Sequence, residues 1–259
     1  MKLIKKLGQN LLNNQEILAR EAAAAGIRGK VVLEIGSGDG RLTKELLKQE
    51  PKKIYAVEKD ARFAQILRNE FNEEKKVVVI EGDFLKTKMP EDVEVVVGNI
   101  PYYLSSKIIF RLKDENIEKA VLMVQKEFAE KMIAKPKEEN YGRLSVTSQI
   151  FFDIKINFKV PAHYFVPRPK VDSALITLIP KEMRLSESEE EIIRRLFQQK
   201  NKKIRNILKS DFAAAVFIES VLAEWQQKRP RELSPNEVLQ LIREIKAHSG
   251  ISSENSSAS

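Results

Sequence analysis

Between about residue 30 and residue 125, short β-branched runs alternate with longer amphipathic stretches, and this rhythm constrains the fold more than any other feature of the chain. Val31-Val32-Leu33-Glu34-Ile35 reads as a buried strand, and Ile54–Glu58, Val77–Ile80, Val93–Val97 and Ala120–Val124 follow as four more. Helical periods fall between and after them at Arg41–Gln49, Ala61–Phe71, Ser106–Leu112 and Glu127–Ala134. Strand–helix alternation at this spacing predicts an α/β fold, a mostly parallel sheet with helices on both faces. Further strands are expected at Leu144–Ile156 and Ala174–Ile179.

After Pro180 only helical periods remain, near Glu187–Gln199, Lys202–Lys209, Ala213–Gln227 and Pro235–Lys246. Ser234-Pro235-Asn236-Glu237 supplies an N-cap serine, a proline at the first helical position and an acid in the first turn. The chain is therefore expected to divide into a domain over residues 1–182, a smaller all-helical domain over 183–248 and a frayed Ser-rich tail over 249–259. At 259 residues and 42% hydrophobic the chain can bury a sizeable core, which excludes wholesale disorder. The absence of cysteine excludes disulfide scaffolds, Cys-ligated zinc, iron–sulfur clusters and thiol nucleophiles. No apolar run approaches the roughly 20 residues of a membrane span, and no signal-like apolar stretch follows Met1-Lys2-Leu3-Ile4-Lys5-Lys6, so a cytoplasmic protein without membrane partners is expected. The only histidines, His163 and His248, stand far apart in no ligand pattern, and no metal site is expected.

The first strand runs into Glu34-Ile35-Gly36-Ser37-Gly38-Asp39-Gly40, which opens a helix. Glycines there permit positive φ and a close backbone approach to a ligand at the carboxyl end of the strand. Glu58 ends the second strand, where a carboxylate can accept both hydroxyls of a ribose. Asp83 follows the third, where it can accept from the exocyclic amine of adenine. Together they outline an adenosine pocket, which NAD or S-adenosylmethionine would fit. The dinucleotide fingerprint needs its third glycine one position beyond Gly40, where Arg41 stands. The neighbouring acids Glu34 and Asp39 would repel a pyrophosphate but suit a sulfonium and an ammonium, so S-adenosylmethionine is favoured.

The fourth strand leads to Gly98-Asn99-Ile100-Pro101-Tyr102-Tyr103. The exocyclic nitrogen of a purine or cytosine is a poor nucleophile, because its lone pair is delocalised into the ring. The Asn99 side-chain carbonyl and a nearby backbone carbonyl can each accept one N–H, which favours a pyramidal nitrogen aimed at a methyl donor. Pro101 removes a competing donor and fixes φ, and Tyr102 can stack on an extruded base. Such catalysis is positioning and electrostatics, with no titrating base.

The positive charge is spread along the chain and is locally densest in one basic run. The chain has 45 Lys+Arg against 37 Asp+Glu, a formal charge of +8. Arg194, Arg195, Lys200, Lys202, Lys203, Arg205 and Lys209 fall in one stretch without an acid. Solvent-facing helices usually alternate sign, so this stretch points to a polyanion rather than a plain solvated face.

Asn99-Ile100-Pro101-Tyr102 resembles the motif of methyltransferases that act on adenine amino groups in nucleic acid. Leu7-Gly8-Gln9-Asn10-Leu11-Leu12, Phe165-Val166-Pro167-Arg168-Pro169-Lys170-Val171-Asp172-Ser173, Arg205-Asn206 and Arg231-Glu232-Leu233 narrow the resemblance to the KsgA/RsmA family, the dimethyladenosine transferases of small-subunit ribosomal RNA. The erythromycin-resistance methyltransferases of large-subunit RNA share the catalytic motif, but the Phe165–Ser173 stretch and the carboxyl-terminal helices favour the small-subunit enzymes. The resemblance implies a Rossmann-like class I S-adenosylmethionine-dependent methyltransferase sheet with a smaller carboxyl-terminal helical domain. It carries the cofactor contacts onto Asn10, Leu12, Gly36, Glu58, Asp83 and Asn99, and makes Phe165 the partner of Tyr102 in sandwiching the target adenine. Catalysis then falls to Asn99, Pro101, Tyr102 and Phe165, and RNA binding to Arg194, Arg195, Lys200, Lys202, Lys203 and Arg205. Leu11 departs from the phenylalanine usual at its position. A monomer acting on ribosomal RNA in a pre-ribosomal particle is expected. A non-catalytic RNA-binding or assembly factor of the same fold is the competing reading, which the intact Asn99, Pro101 and Tyr102 oppose.

Overall fold

A computed structural model describes residues 10–211 and 224–249. The elements are β1 (Leu11–Leu12), α1 (Gln15–Ala25), β2 (Val31–Ile35), α2 (Arg41–Leu47), β3 (Lys53–Glu58), α3 (Ala61–Glu70), β4 (Val77–Glu81), β5 (Val95–Asn99), α4 (Ser105–Leu112), β6 (Lys119–Gln125), α5 (Lys126–Met132), α6 (Arg143–Phe151), β7 (Phe152–Val160), β8 (Phe165–Val166), β9 (Ser173–Pro180), α7 (Glu187–Gln198), α8 (Ile204–Asp211) and α9 (Pro235–Ser249). Among them no helix is long and apolar enough to cross a membrane.

Seven strands form one sheet in the order β4-β3-β2-β5-β6-β9-β7. The first five are parallel, and β9 pairs antiparallel with both β6 and β7. The chain winds outward from β2 through β3 to β4, then returns to the other side of β2 with β5. That reversal leaves a crevice beyond the carboxyl ends of β2 and β5, where open α/β sheets take their ligands. All of Val31–Ile35 and all of Val95–Gly98 are buried, as strands covered on both faces must be. On one face α1 packs through Ile17, Leu18, Ala22 and Ala25; Asn14 caps it by accepting from Ile17 N–H at 2.9 Å, and Gly26, in the left-handed region, ends it.

The chain divides into two compact units. The sheet unit comprises residues 1–129 and 152–181, the helical unit 130–151 and 182–259. A single boundary near residue 182 therefore leaves out residues 130–151. Those residues include the largest departure from expectation, because Leu144–Phe151 is helical within α6 and the strand begins only at Phe152. The run of Val, Thr and Ile favours a strand locally, but tertiary hydrogen bonds override it. Ser145 Oγ donates to Lys131 O at 2.6 Å, and Gln149 Nε2 donates to the carbonyls of Met132 and Ala134 at 2.9 Å each.

Within the helical unit α6, α7 and α9 pack on one another. Ser186 and Glu189 form a capping box at the start of α7. Trp225 is fully buried and donates from Nε1 to Glu244 at 2.8 Å, and the buried Tyr141 donates to Leu233 O at 2.5 Å. Most of the helix expected over Ala213–Gln227 lies outside the described residues, and Glu224–Gln227 form a turn. The tail beyond Ser249 also lies outside them.

Candidate active site

Four strand ends converge on a cavity of about 1040 Å³, its open mouth included. Asn10, Leu12, Gly36, Glu58, Asp83 and Asn99, the six residues assigned to cofactor binding, all line it, as does Pro101. Sequence reading did not single out Leu18, Lys59, Phe63, Leu85 or Tyr103, which line it too.

Two glycines set the shape of the floor. Gly36 turns the chain off β2 at φ +73, a left-handed conformation that side chains resist. Gly98 permits β2 and β5 to approach closely, since a Cβ there would lie 2.5 Å from Ile35 O. The loop after β2 is fastened to β3: Glu58 accepts Gly38 N–H at 2.9 Å with Oε2 and Asp60 N–H at 2.8 Å with Oε1. Each oxygen keeps a second acceptor site for a ligand hydroxyl. Burial raises the Glu58 pKa, against these N–H donors. Asp83 contacts Lys59 Nζ at 2.8 Å, and that ammonium holds its pKa below the usual aspartate range. Glu34 lies wholly within the wall, pushed up to about 7 by burial while Thr43 Oγ1 donates to it at 2.6 Å. Arg41 is occupied by Asp39 at 2.9 Å and by Asn13 at 2.8 Å.

These donors and acceptors fit an adenosine carrying a cation. Glu58 suits vicinal hydroxyls and Asp83 an exocyclic amine. Glu34 and Asp39 give the remaining wall an acidic character that a sulfonium and an ammonium would answer.

Asn99 is the last residue of β5, and its Oδ1 is buried with no hydrogen-bond partner among the described residues. Pro101 follows at φ −58, ψ 128 and starts a short 3-10 turn over Tyr102–Leu104. Tyr102 is half-buried, its hydroxyl 2.6 Å from Ser173 Oγ, and burial raises its pKa. The Phe165–Ser173 stretch is thereby explained in part. Ser173 holds Tyr102, while Asp172 Oδ1 accepts Ala162 N–H at 2.9 Å at the other end of the connection.

Phe165 requires a correction. Antiparallel pairing of β8 with β1 sets it opposite Leu12, in the hydrophobic core at 3% exposure, and it does not line the cavity. The aromatic residues that line the cavity are Phe63, Phe84 and Tyr103, of which Tyr103 is 59% exposed, and Tyr102 does not line it. Strands of two residues are too short for a periodicity to reveal, so the β1–β8 pairing had no sequence signal beyond the two motifs it joins.

In the helical unit the basic run is broken into three pieces rather than forming one helix face. Arg194 and Arg195 lie in α7, Lys200–Lys203 in the turn after it, and Arg205 in α8. Glu191, one turn earlier, binds Arg194 at 2.5 Å and Arg195 at 2.8 Å, and the two guanidiniums hold its pKa down at about 2. Lys200 donates to the carbonyls of Glu139 and Tyr141, and Lys203 to Gln227. Lys202 and Arg205 have no ion pair among the described residues.

The chain is similar to known proteins over most of its length. The family model described as ribosomal RNA adenine dimethylase matches residues 1–245. A protein of Thermococcus onnurineus, named "Probable ribosomal RNA small subunit methyltransferase A", is 40% identical over 253 residues, covering 93% of this chain and 92% of its own. The crystal structure of a dimethyladenosine transferase from Plasmodium falciparum superposes with a TM-score of 0.84 at 33% identity, covering 93% of this chain and 98% of that one. That of the 23S rRNA methyltransferase ErmE gives 0.69 at 28% identity, covering 92% and 100%. The expected fold class, a class I methyltransferase α/β sheet with a helical unit, therefore holds.

Proposed function

Because this chain belongs to the ribosomal RNA adenine dimethylase family, we propose that it methylates N6 of two adjacent adenosines near the 3′ end of small-subunit ribosomal RNA, twice each. S-adenosylmethionine, when bound in the cavity, supplies the electrophilic methyl group. Glu58 holds the ribose hydroxyls, Asp83 the adenine amine of the cofactor, and Gly36, Asn10 and Leu12 complete the walls.

The observation that carries this reading is Asn99 at the end of β5, a residue that lines the acidic cavity and whose buried Oδ1 has no hydrogen-bond partner among the described residues. A carbonyl oxygen with an open lone pair there accepts one N–H of the target amine, and the Ile100 backbone carbonyl, presented by the fixed φ of Pro101, accepts the other. Both bonds strengthen as the nitrogen pyramidalises and gains positive charge, so they stabilise the transition state more than the ground state. No side chain has to take up the proton during attack; it leaves to water afterwards. Tyr102, fixed by Ser173, stacks on the flipped base. Lys202 and Arg205, with the other basic residues of the run, meet RNA phosphates and fix register, while the pocket reads the base. The chain acts as a monomer on a pre-ribosomal particle in the cytoplasm, in small-subunit biogenesis.

Incubation of immature small subunits with methyl-labelled S-adenosylmethionine tests the assignment. Label should enter the RNA with the wild-type protein and fall by at least a hundredfold with Asn99→Ala. Undiminished incorporation by that variant would refute the catalytic role and favour a protein that only binds RNA.

A further inference from the structure

An amino acid carries an ammonium and a carboxylate on one carbon, and the two need partners of opposite sign. S-adenosylmethionine ends in such a group. The acidic wall of the cavity answers the ammonium and leaves the carboxylate without a partner. Among the described residues that line the cavity, four are acidic, Glu34, Asp39, Glu58 and Asp83, and only Arg41 and Lys59 are basic. Lys59 is engaged beside β4, its Nζ 2.8 Å from Asp83. That leaves Arg41 for the carboxylate.

The order of the strands places Arg41 at the right end. Asp83, Glu58 and the glycine loop follow β4, β3 and β2, which are neighbours in that order in the sheet. An adenosine with its amine on Asp83 and its ribose on Glu58 therefore extends toward the loop after β2 and toward Asn99 at the end of β5. Arg41 begins α2 directly after that loop. Its Nε donates to Asp39 Oδ2 at 2.9 Å, and its Nη1 to Asn13 Oδ1 at 2.8 Å and to Leu12 O at 3.4 Å. Nη2 has no hydrogen-bond partner among the described residues, and neither has Asp39 Oδ1. The side chains of Asp39 and Arg41 are 25% and 39% exposed, so a ligand can reach both open edges. Ser37, in the same loop and 5% exposed, adds a hydroxyl with no hydrogen-bond partner among the described residues.

We infer that the Asp39–Arg41 pair is the subsite for the amino acid end of the cofactor, with Arg41 Nη2 donating to the α-carboxylate and Asp39 Oδ1 accepting from the α-ammonium. The pair presents one charge of each sign side by side, as the zwitterion does. A guanidinium already held by Asp39, Asn13 and Leu12 loses little further freedom when it takes up a carboxylate. It also offsets the repulsion that the other acids of the wall exert on that carboxylate. The inference rests on the S-adenosylmethionine reading of the cavity. Arg41 has a competing role, since through Leu12 and Asn13 it fastens the segment of β1 to the loop. A residue that did only this would affect every ligand of the cavity alike.

Calorimetric titration of the full chain with three ligands separates the two roles. S-adenosylhomocysteine carries both charges, its decarboxylated analogue keeps only the amine, and 5′-methylthioadenosine has neither. Arg41→Met should weaken S-adenosylhomocysteine about tenfold and change 5′-methylthioadenosine by less than about twofold, without weakening the decarboxylated analogue. Arg41→Lys, which keeps the charge and loses the planar fork, should recover part of the loss. Asp39→Asn should weaken both amine-bearing ligands and spare 5′-methylthioadenosine. Equal weakening of all three ligands by Arg41→Met overturns the inference in favour of the fastening role, and unchanged affinity for S-adenosylhomocysteine overturns it outright. The wild-type protein gives a check that needs no variant to fold. If it binds S-adenosylhomocysteine no more tightly than 5′-methylthioadenosine, the amino acid end has no subsite and the inference fails. Binding of none of the three by the wild-type protein would refute the cofactor reading itself, and the inference with it.

Discussion

Gly98→Ala tests how the fold places the reacting amide. The added methyl group would lie 2.5 Å from Ile35 O and 3.2 Å from both Ile35 N and Cβ, inside the contact limit for all three. Those atoms belong to the central pair of a parallel sheet, fixed by the register Val32↔Val95, Leu33↔Val96 and Glu34↔Val97, so neither strand can rotate out of the way. Relief requires β5 to move off β2 at its carboxyl end, one residue before Asn99. Overpacking of this kind costs about 1–3 kcal/mol. At about 2–4 °C per kcal/mol for a domain of this size, the thermal midpoint should fall by roughly 2–12 °C. A displacement approaching 1 Å at Asn99 should cost on the order of a hundredfold in kcat. Differential scanning calorimetry and single-turnover methyl transfer, run on the same preparation well below the midpoint, measure the two effects separately. A midpoint within about 1 °C of wild type, together with full kcat, would show that the β2–β5 spacing is not what positions Asn99.

Other expectations follow from the titrating and basic groups. Glu21 and Glu34 bind their protons more tightly in the folded protein than in the unfolded chain, so stability should fall as pH rises from about 4.5 to about 8 and level off above. The combined loss is on the order of several kcal/mol; urea unfolding between pH 5 and pH 9 would reveal it, and a midpoint that rises with pH would contradict it. Asp83 shows the opposite sign: its lowered pKa adds stability that is present above the usual aspartate range and disappears as pH falls through the folded value. Lys59→Met should move the Asp83 carboxyl titration upward, as NMR would show. Replacing Lys202 or Arg205 by Gln should weaken RNA binding and reduce its salt slope by about 0.7–0.9 for each phosphate no longer neutralised. Arg194→Gln and Arg195→Gln should have smaller effects, because Glu191 already engages both guanidiniums; equal slopes in filter-binding titrations would argue against that distinction.

The sequence exposed the parts of the site that rest on local rules. Residues Gly36, Glu58, Asp83 and Asn99 sit at strand ends, where a run of β-branched residues marks the strand and the next polar residue marks its tip; all four line the cavity. Parts that depend on tertiary partners were not legible. Leu144–Phe151 has the composition of a strand and becomes a helix through bonds to Lys131, Met132 and Ala134, which no local pattern announces. Phe165 was placed by its motif, yet pairing with β1 turns it into the core. Helix α1 and its buried Glu21 were not anticipated from the sequence, although a spacing of four from both Ile17 and Ala25 puts Glu21 on the buried stripe. The basic run looked unopposed because its neutralising acid, Glu191, stands just outside it in sequence but one helical turn away in space.

The most direct measurement is the position of the modified bases. Immature small subunits and large-subunit RNA should each be incubated with the protein and S-adenosylmethionine, digested, and mapped by mass spectrometry. N6,N6-dimethyladenosine should be found at two adjacent positions near the 3′ end of the small-subunit RNA and be absent from the large-subunit RNA. Modification confined to large-subunit RNA, or none in either under conditions where S-adenosylmethionine is bound, would contradict the proposed function.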